Sequence, residues 1–513
     1  MLNERFTASE VTRPDGPAPC DAAPAPLQKI AIVLRDLDRA GIRYCHWKSN
    51  YRIQQALAGE GDLDLLVDQE DFAAFVTILL QQGFKQAESA TSRRQPGVFH
   101  FLGNDDATRG LINVHAYVRI LTGDHLLKTW ALPLERLLLS DTRRAHGICL
   151  PSKAAELVVF VLRDMIKHTT LLDIYLGRRS RKAVLEEHRW LVCDSRIEDC
   201  YGKLATYFPM ISPAAFRSAL ELIGTEGAML RRIRMGFRFQ RALTRYRRYG
   251  RARQIWWTAA SLCGTAIRKL CRSQKTMTLR TGGAIIAVVG PQAAGRAVLV
   301  EKIRQWLGRQ LSVRVIHAGE PPATWLSYLP RKCTAMVRRL VPGQAARNLD
   351  GSADQQDEGR VAYLHLIGKL MLAHERRTLL RRAYRDSRNG EIIVSEGYPS
   401  ENPAAIGGPG LCTETIEAQT FPLKRRLLQW EAGVYRNVCP PDVVLELRVG
   451  VDKAVERNRV RNNQTDPQAE YVRQREAVQH QPPFHGCPVI SISTDRDLEE
   501  TLLEVRRAIW EHL

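Results

Sequence analysis

Two stretches of this 513-residue chain combine residue types and spacings suited to phosphate chemistry. The first is Gly61-Asp62-Leu63-Asp64-Leu65-Leu66-Val67, with two carboxylates at i and i+2 in an apolar run. On a strand, such residues share one face. They then lie close enough for one or two divalent cations to bridge them, as in-line attack on a nucleotide phosphate requires. A solvated strand edge with two exposed aspartates is the plainer alternative, and both readings stay open. The second stretch is Ala284-Ile285-Ile286-Ala287-Val288-Val289-Gly290, continued by Pro291-Gln292-Ala293-Ala294-Gly295-Arg296-Ala297. An apolar run of strand length ends in glycine, a second glycine follows, and a helical pattern begins. Strand, Gly-x-x-x-x-Gly and helix form the frame of a P-loop, whose backbone N–H groups wrap phosphates. Here Arg296 and Ala297 stand where Lys and Ser/Thr complete that motif.

The elements around the carboxylate pair read as a small α/β unit. Ile30, Ile32, Val33 and Leu37 recur with helical spacing, and Ile42 to Asn50 reads as a short strand and a polar turn. Later comes the strand pattern Leu111-Ile112-Asn113-Val114-His115-Ala116-Tyr117. A polar turn (Lys48-Ser49), a short spacer and then Asp-h-Asp-h-h resembles the nucleotidyltransferase superfamily. The resemblance implies Asp62 and Asp64 as catalytic metal ligands. It also implies a third ligand at Asn113, where the superfamily carries a carboxylate; the amide keeps a carbonyl ligand and loses a charge. His115 is either a site residue or a hydrogen-bonded structural histidine. Past residue 150, helical patterns at Leu157 to Ile166, Val184 to Trp190, Ile197 to Tyr207 and Pro213 to Ile223 suggest a helical domain.

In the second half, strands alternate with helices. The strand patterns are Ala284 to Val289, Leu311 to Gly319, Glu391 to Glu396, Val443 to Val449 and Val489 to Ser493. This order predicts a parallel sheet with helices on both faces. It resembles the thymidylate kinase family of P-loop nucleotide kinases over most of residues 284–513. The resemblance rests on the glycine frame, on Ile393-Val394-Ser395-Glu396-Gly397-Tyr398-Pro399 where the family carries Asp-Arg-Tyr, and on the closing strand and helix. It rests also on the arginine-bearing segment after Leu447. It implies ATP and Mg2+ as cofactors and a nucleotide held by Gly290, Gln292, Ala293, Gly295, Arg296 and Ala297. Arg296 would meet the phosphates in catalysis, and Glu396 would serve as a metal or water ligand. Arg457 and Arg459 would form a lid, although as solvated helix charges they need no such role. Ala297 offers no hydroxyl to a metal, and Gly397 lacks the family's arginine. The two resemblances together are similar to a bacterial two-domain architecture. They imply phosphate transfer from ATP to a nucleotide or small acceptor, with nucleotidyl transfer at Asp62/Asp64 or a catalytically dead two-module scaffold as alternatives.

Composition frames these expectations. The expected divisions are a disordered leader at 1–26, a nucleotidyltransferase-like domain at 27–150, a helical domain at 151–230, a basic linker at 231–282 and the kinase-like domain at 283–513. Eleven cysteines without a C-x-x-C pair, and no signal-peptide pattern, suggest a reducing, cytoplasmic setting without structural zinc. No run is apolar enough to predict a membrane span. The net charge is +20, and Gly227 to Val300 contains no Asp or Glu. Such a block attracts polyanions. No nucleic-acid recognition motif accompanies it, so nucleic acid is not the expected partner. Peripheral contact with an anionic membrane through 231–282, or a plain interdomain helix near Ile255 to Leu270, are the two readings of the segment.

Overall fold

The computed structural model describes residues 25–89, 95–123, 128–167, 181–225, 227–250, 256, 276–291, 294–319, 321, 360–399, 416–417, 421–462 and 486–513. Residues 1–24 of the expected leader, most of the basic segment after residue 250, Gln292 and Ala293, and the side chain of Arg459 lie outside these residues. The chain is mixed α/β and forms two compact units. One comprises Met1–Ile78 and Asn113–Tyr249, the other Leu79–Ile112 and Gly250–Leu513.

In chain order the strands are β1 (Tyr44–His46), β2 (Leu63–Val67), β3 (Lys85–Glu88), β4 (Val98–Asp105), β5 (Gly110–Tyr117), β6 (Thr142–Ala145) and β7 (Ile148–Pro151). They continue with β8 (Thr278–Leu279), β9 (Ile285–Val289), β10 (Val313–His317), β11 (Ile392–Glu396), β12 (Val443–Arg448) and β13 (Val489–Ser493).

In the first unit, β2 lies between β1, antiparallel to it, and β5, parallel to it. The register sets Asp64 opposite His115 and Leu66 opposite Tyr117. Period-2 geometry therefore puts Asp62, Asp64, Asn113, His115 and Tyr117 on one face. All five residues of β2 are buried, which fits an apolar strand covered on both sides. The helix Lys153–Lys167 is the centre of the unit's helical layer. Leu157, Val158, Val161, Leu162, Met165 and Ile166 are each at most 2% exposed. The helices Arg181–Asp194, Ile197–Tyr207, Pro213–Gly224 and Met229–Ala242 surround it. One start is capped as the sequence demands: Ser212 Oγ accepts from the N–H of Ala215, ahead of Pro213 in the first turn.

In the second unit, five parallel strands run in the order β10-β11-β9-β12-β13. Counted along the chain from β9, that is second, third, first, fourth, fifth. Ile285, Ile286, Ala287 and Val288 of the central strand are fully buried, as a parallel strand covered on both faces must be. Helices Arg296–Leu307 and Leu498–His512 cover one face through Leu299, Trp306, Val505 and Trp510. Helix Arg360–Arg388 covers the other through Leu380 and Ala383. A ribbon of β4, β3 and β8, antiparallel at both pairings, belongs to this unit. Ala87, Leu102 and Leu279 join the same core as the parallel sheet. Trp510 Nε1 donates to Gly83 O at 2.8 Å, across 427 residues of chain.

The strands of the parallel sheet fall where the apolar runs predict them. The ribbon has no such signal. Likewise the basic block opens inside a regular helix, Met229–Ala242, which its arginine density hides.

Candidate functional sites

The carboxylate pair of the first unit is ringed by hydrogen-bond donors. Lys48 Nζ lies 2.9 Å from Asp64 Oδ1 and donates to the Tyr117 hydroxyl at 3.1 Å. That hydroxyl in turn donates to Asp64 Oδ1 at 3.1 Å. His115 Nδ1 stands 3.3 Å from Asp64 Oδ1 and 3.7 Å from Asp62 Oδ2. Asn113 Nδ2 donates to Asp62 Oδ1 at 2.9 Å. The Asp64 side chain is only 9% exposed against 49% for Asp62. Burial alone would raise the Asp64 carboxyl, but the His115 hydrogen bond and the Lys48 charge outweigh it and hold it at about 2. Burial, and then the Asp64 charge, push the Tyr117 phenol upward.

A strained turn delivers the lysine. Ser49, between Lys48 and Asn50, has φ 55°, a left-handed backbone that side chains disfavour. The turn is fastened beside it: His46 Nδ1 pairs with the Asn50 side chain, whose Nδ2 donates back to His46 O at 3.0 Å. The Glu187 carboxyl accepts the Ser49 N–H and is raised by burial, against the pull of Arg163 and that N–H. Arg163 itself stacks 4.7 Å from the Trp47 ring centre.

This donor set does not fit a divalent cation. The ammonium of Lys48 already complements Asp64, and the amide of Asn113 turns its N–H, not its carbonyl, toward Asp62. Among the described residues, no group of three or more His, Cys, Asp or Glu is disposed to hold a metal ion. Asp62, Asp64, Asn113 and His115 do converge, as the period-2 pattern predicts. Lys48 and Tyr117 complete the cluster. Tyr117 was legible as the next same-face residue after His115; Arg163 and Glu187 carry no sequence signal at all.

The site of the second unit is built from backbone. Gly290 closes β9 at φ 137°, and a Cβ there would sit 2.5 Å from Leu447 O. Gly295 has φ 78° and precedes the first turn of helix Arg296–Leu307, whose Leu299 N–H reaches back to Gly295 O. Ala294 N–H donates to Pro291 O at 3.2 Å. Gly397 has φ 72°, and a Cβ on it would come 3.9 Å from Arg296 Nη1. The loop after β9 and the turn after β11 thus flank Arg296 at the carboxyl ends of adjacent strands. Helix N–H groups and a guanidinium favour an anion there.

The remaining expected residues have definite places. Glu396 ends β11 opposite Val288, and its carboxylate lies 3.1 Å from His317 Nδ1 at the end of β10. Glu396 is the one metal ligand expected in the second unit, and among the described residues it joins no group of three or more His, Cys, Asp or Glu that could hold a metal ion. Arg457 donates to Thr494 O at 2.7 Å and to Thr494 Oγ1 at 3.3 Å, an anchor on the turn after β13. His317 was not singled out by its sequence context. Compared with known protein families and with curated proteins, the chain matches none.

Proposed function

We propose that this chain is a nucleotide-binding protein whose second unit is a P-loop fold of the thymidylate kinase-like group, with ATP as the nucleotide. The observation that carries this reading is the strand order. β9 is central, its successors lie first to one side and then to the other, and the Gly290 loop leaves its carboxyl end. In open α/β sheets that reversal opens a crevice at the strand ends, and ligands bind in it. The N-terminus of helix Arg296–Leu307 faces the same edge, and Arg296 supplies a fixed positive charge.

The first-turn N–H groups of that helix and Arg296 hold the phosphates. Ala297 has no hydroxyl to offer a metal, so Mg2+, if bound, would come with the nucleotide and would offset the charge of its phosphates. Phosphate transfer to a small acceptor is weak or absent, since the hydroxyl and the second arginine that support it are missing. Isothermal titration of the full chain with ATP, with and without Mg2+, tests this. Binding that survives chelation of Mg2+ is expected; no heat at millimolar ATP ends the reading.

A second reading rests on the first unit. Asp62 and Asp64 face Asn113 and His115 across two parallel strands, an arrangement consistent with a nucleotidyltransferase-like fold. Lys48 there takes the position of a cation. A radiolabelled nucleotidyl-transfer assay with Asp62→Ala and Asp64→Ala decides it: product lost in both variants supports it, and no product from the unaltered chain removes it. With neither activity nor ATP binding, the two units serve as a scaffold.

A further inference from the structure

The helix Met229–Ala242 has two faces of different chemistry. Its inner face is tied down. Met235 and Phe239 are buried in the helical core, at 8% and 1% exposure. Arg232 pairs with Asp164 at 2.7 Å, and both side chains are largely covered. Gln240 Nε2 donates to Ile166 O at 3.3 Å. The outer face is therefore fixed in direction. It presents Leu230, Arg234, Phe237, Arg238 and Arg241, which lie within one stripe at i, i+4, i+7, i+8 and i+11. Leu230 is 70% exposed and Phe237 54%. No carboxylate pairs with Arg234, Arg238 or Arg241 among the described residues, and none occurs in sequence from Gly227 to Val300.

We infer that this face of helix Met229–Ala242 is a docking surface for an anionic lipid bilayer. Two properties of the face must be matched together. The guanidinium groups call for phosphate oxygens, and a bilayer interface supplies them densely. Leu230 and Phe237, two turns apart, call for hydrocarbon a few ångströms below those phosphates. Nucleic acid answers the first demand and not the second: Leu230 has no base to stack on, and the stripe carries no Asn or Gln to read a base edge. The long aliphatic stems of the arginines let their charges reach the headgroups while the helix lies flat. No described helix is long and apolar enough to cross a membrane, so the contact lies on the surface. This inference is independent of the nucleotide reading, which concerns the other unit.

Flotation of the full chain with vesicles tests it. The chain is expected to rise with phosphatidylcholine vesicles containing phosphatidylglycerol and to stay down with phosphatidylcholine alone. Leu230→Ser with Phe237→Ser is expected to weaken partitioning about tenfold. Arg234→Gln with Arg238→Gln and Arg241→Gln is expected to abolish it, and molar salt to mimic that loss in the unaltered chain. These positions are exposed, so thermal melts of both variants should match the parent. If the unaltered chain stays down with the anionic vesicles, the inference fails, with no variant needed. Flotation unchanged by Leu230→Ser/Phe237→Ser overturns it too. A single-stranded RNA that binds the chain, is lost in the arginine variant and displaces it from the vesicles would assign the face to nucleic acid instead.

Discussion

The two candidate sites differ in what they are made of. The first is an assembly of side chains: Lys48, Asp62, Asp64, Asn113, His115 and Tyr117 are linked to one another by hydrogen bonds and ion pairs. The second is an assembly of backbone: Gly290, Gly295 and Gly397, all with positive φ, shape the space around Arg296. A side-chain site loses its chemistry when a partner changes, because its charges are its function. A backbone site depends less on such groups, because its N–H groups are present whichever side chains follow the second glycine, here Arg296 and Ala297. The side chains at the two sites therefore have unequal weight, and the glycine-built site has the stronger claim to a ligand.

The largest expected effect attacks the backbone site. Gly290→Ala puts a methyl group 2.5 Å from Leu447 O, and the strands must move apart to admit it. A loss of about 3 kcal/mol in denaturant unfolding is expected, together with loss of ATP binding. Tolerance of that alanine with intact binding would break the distinction, since the site would then not depend on backbone shape.

The first unit should respond instead to protons. Glu156, 6% exposed as a side chain with Arg143 3.5 Å away, is raised by burial from 4.5 to about 7. Between those values the folded chain keeps a proton that the unfolded chain has released. Stability is full below 4.5 and falls as pH rises through about 7. Glu156→Gln is expected to flatten that slope and to add about 2 kcal/mol above the window, read by thermal melts across pH. A slope that persists in the variant would assign it to another group.

Lys48→Met gives a smaller effect of opposite sign. Asp64 is held down from 3.8 to about 2, so its stabilisation is present above 3.8 and lost as pH falls through about 2. Without the ammonium, the carboxyl moves back up and about 1 kcal/mol is lost at neutral pH. Acid unfolding should begin at higher pH; an unmoved acid limb would mean that His115 and Tyr117 suffice.

The smallest effect is expected from repair. Arg296→Lys with Ala297→Ser restores the motif's letters and leaves Gly397 without its arginine, so turnover should change by less than about tenfold. High turnover from that pair alone would show that the second site, too, depends on its side chains.

How much of this was legible follows from the same contrast. The central strand β9 announces itself as an unbroken apolar run and its neighbours as shorter ones, and Gly290 and Gly295 mark the loop, where both take a positive φ. Asp62, Asp64, Asn113 and His115 share a face by simple alternation. The pairing of Lys48 with Asp64 was not legible. It depends on Ser49 adopting φ 55°, and nothing in Lys-Ser-Asn announces a left-handed serine. The helix Met229–Ala242 was hidden because five arginines interrupt the spacing of Ile233, Met235 and Phe239. The ribbon of β3, β4 and β8 was hidden because β8 and the helix that packs on the ribbon, Leu498–His512, lie far downstream of β3 and β4.

That ribbon sets the order of events at the ribosome. Arg507 Nε holds Asp106 at 2.8 Å across 401 residues, and Arg109 pairs with Glu499 across 390. Residues 79–112 emerge long before helix Leu498–His512, which completes the surface that buries Leu102 and Ala87. The hairpin must wait, apolar side outward, through most of translation, a circumstance that favours chaperone capture. A fragment begun at the glycine pair Gly282-Gly283 would carry every strand of the parallel sheet and still lack part of its own core. The gene cannot be cut in two between the units without leaving one of them open.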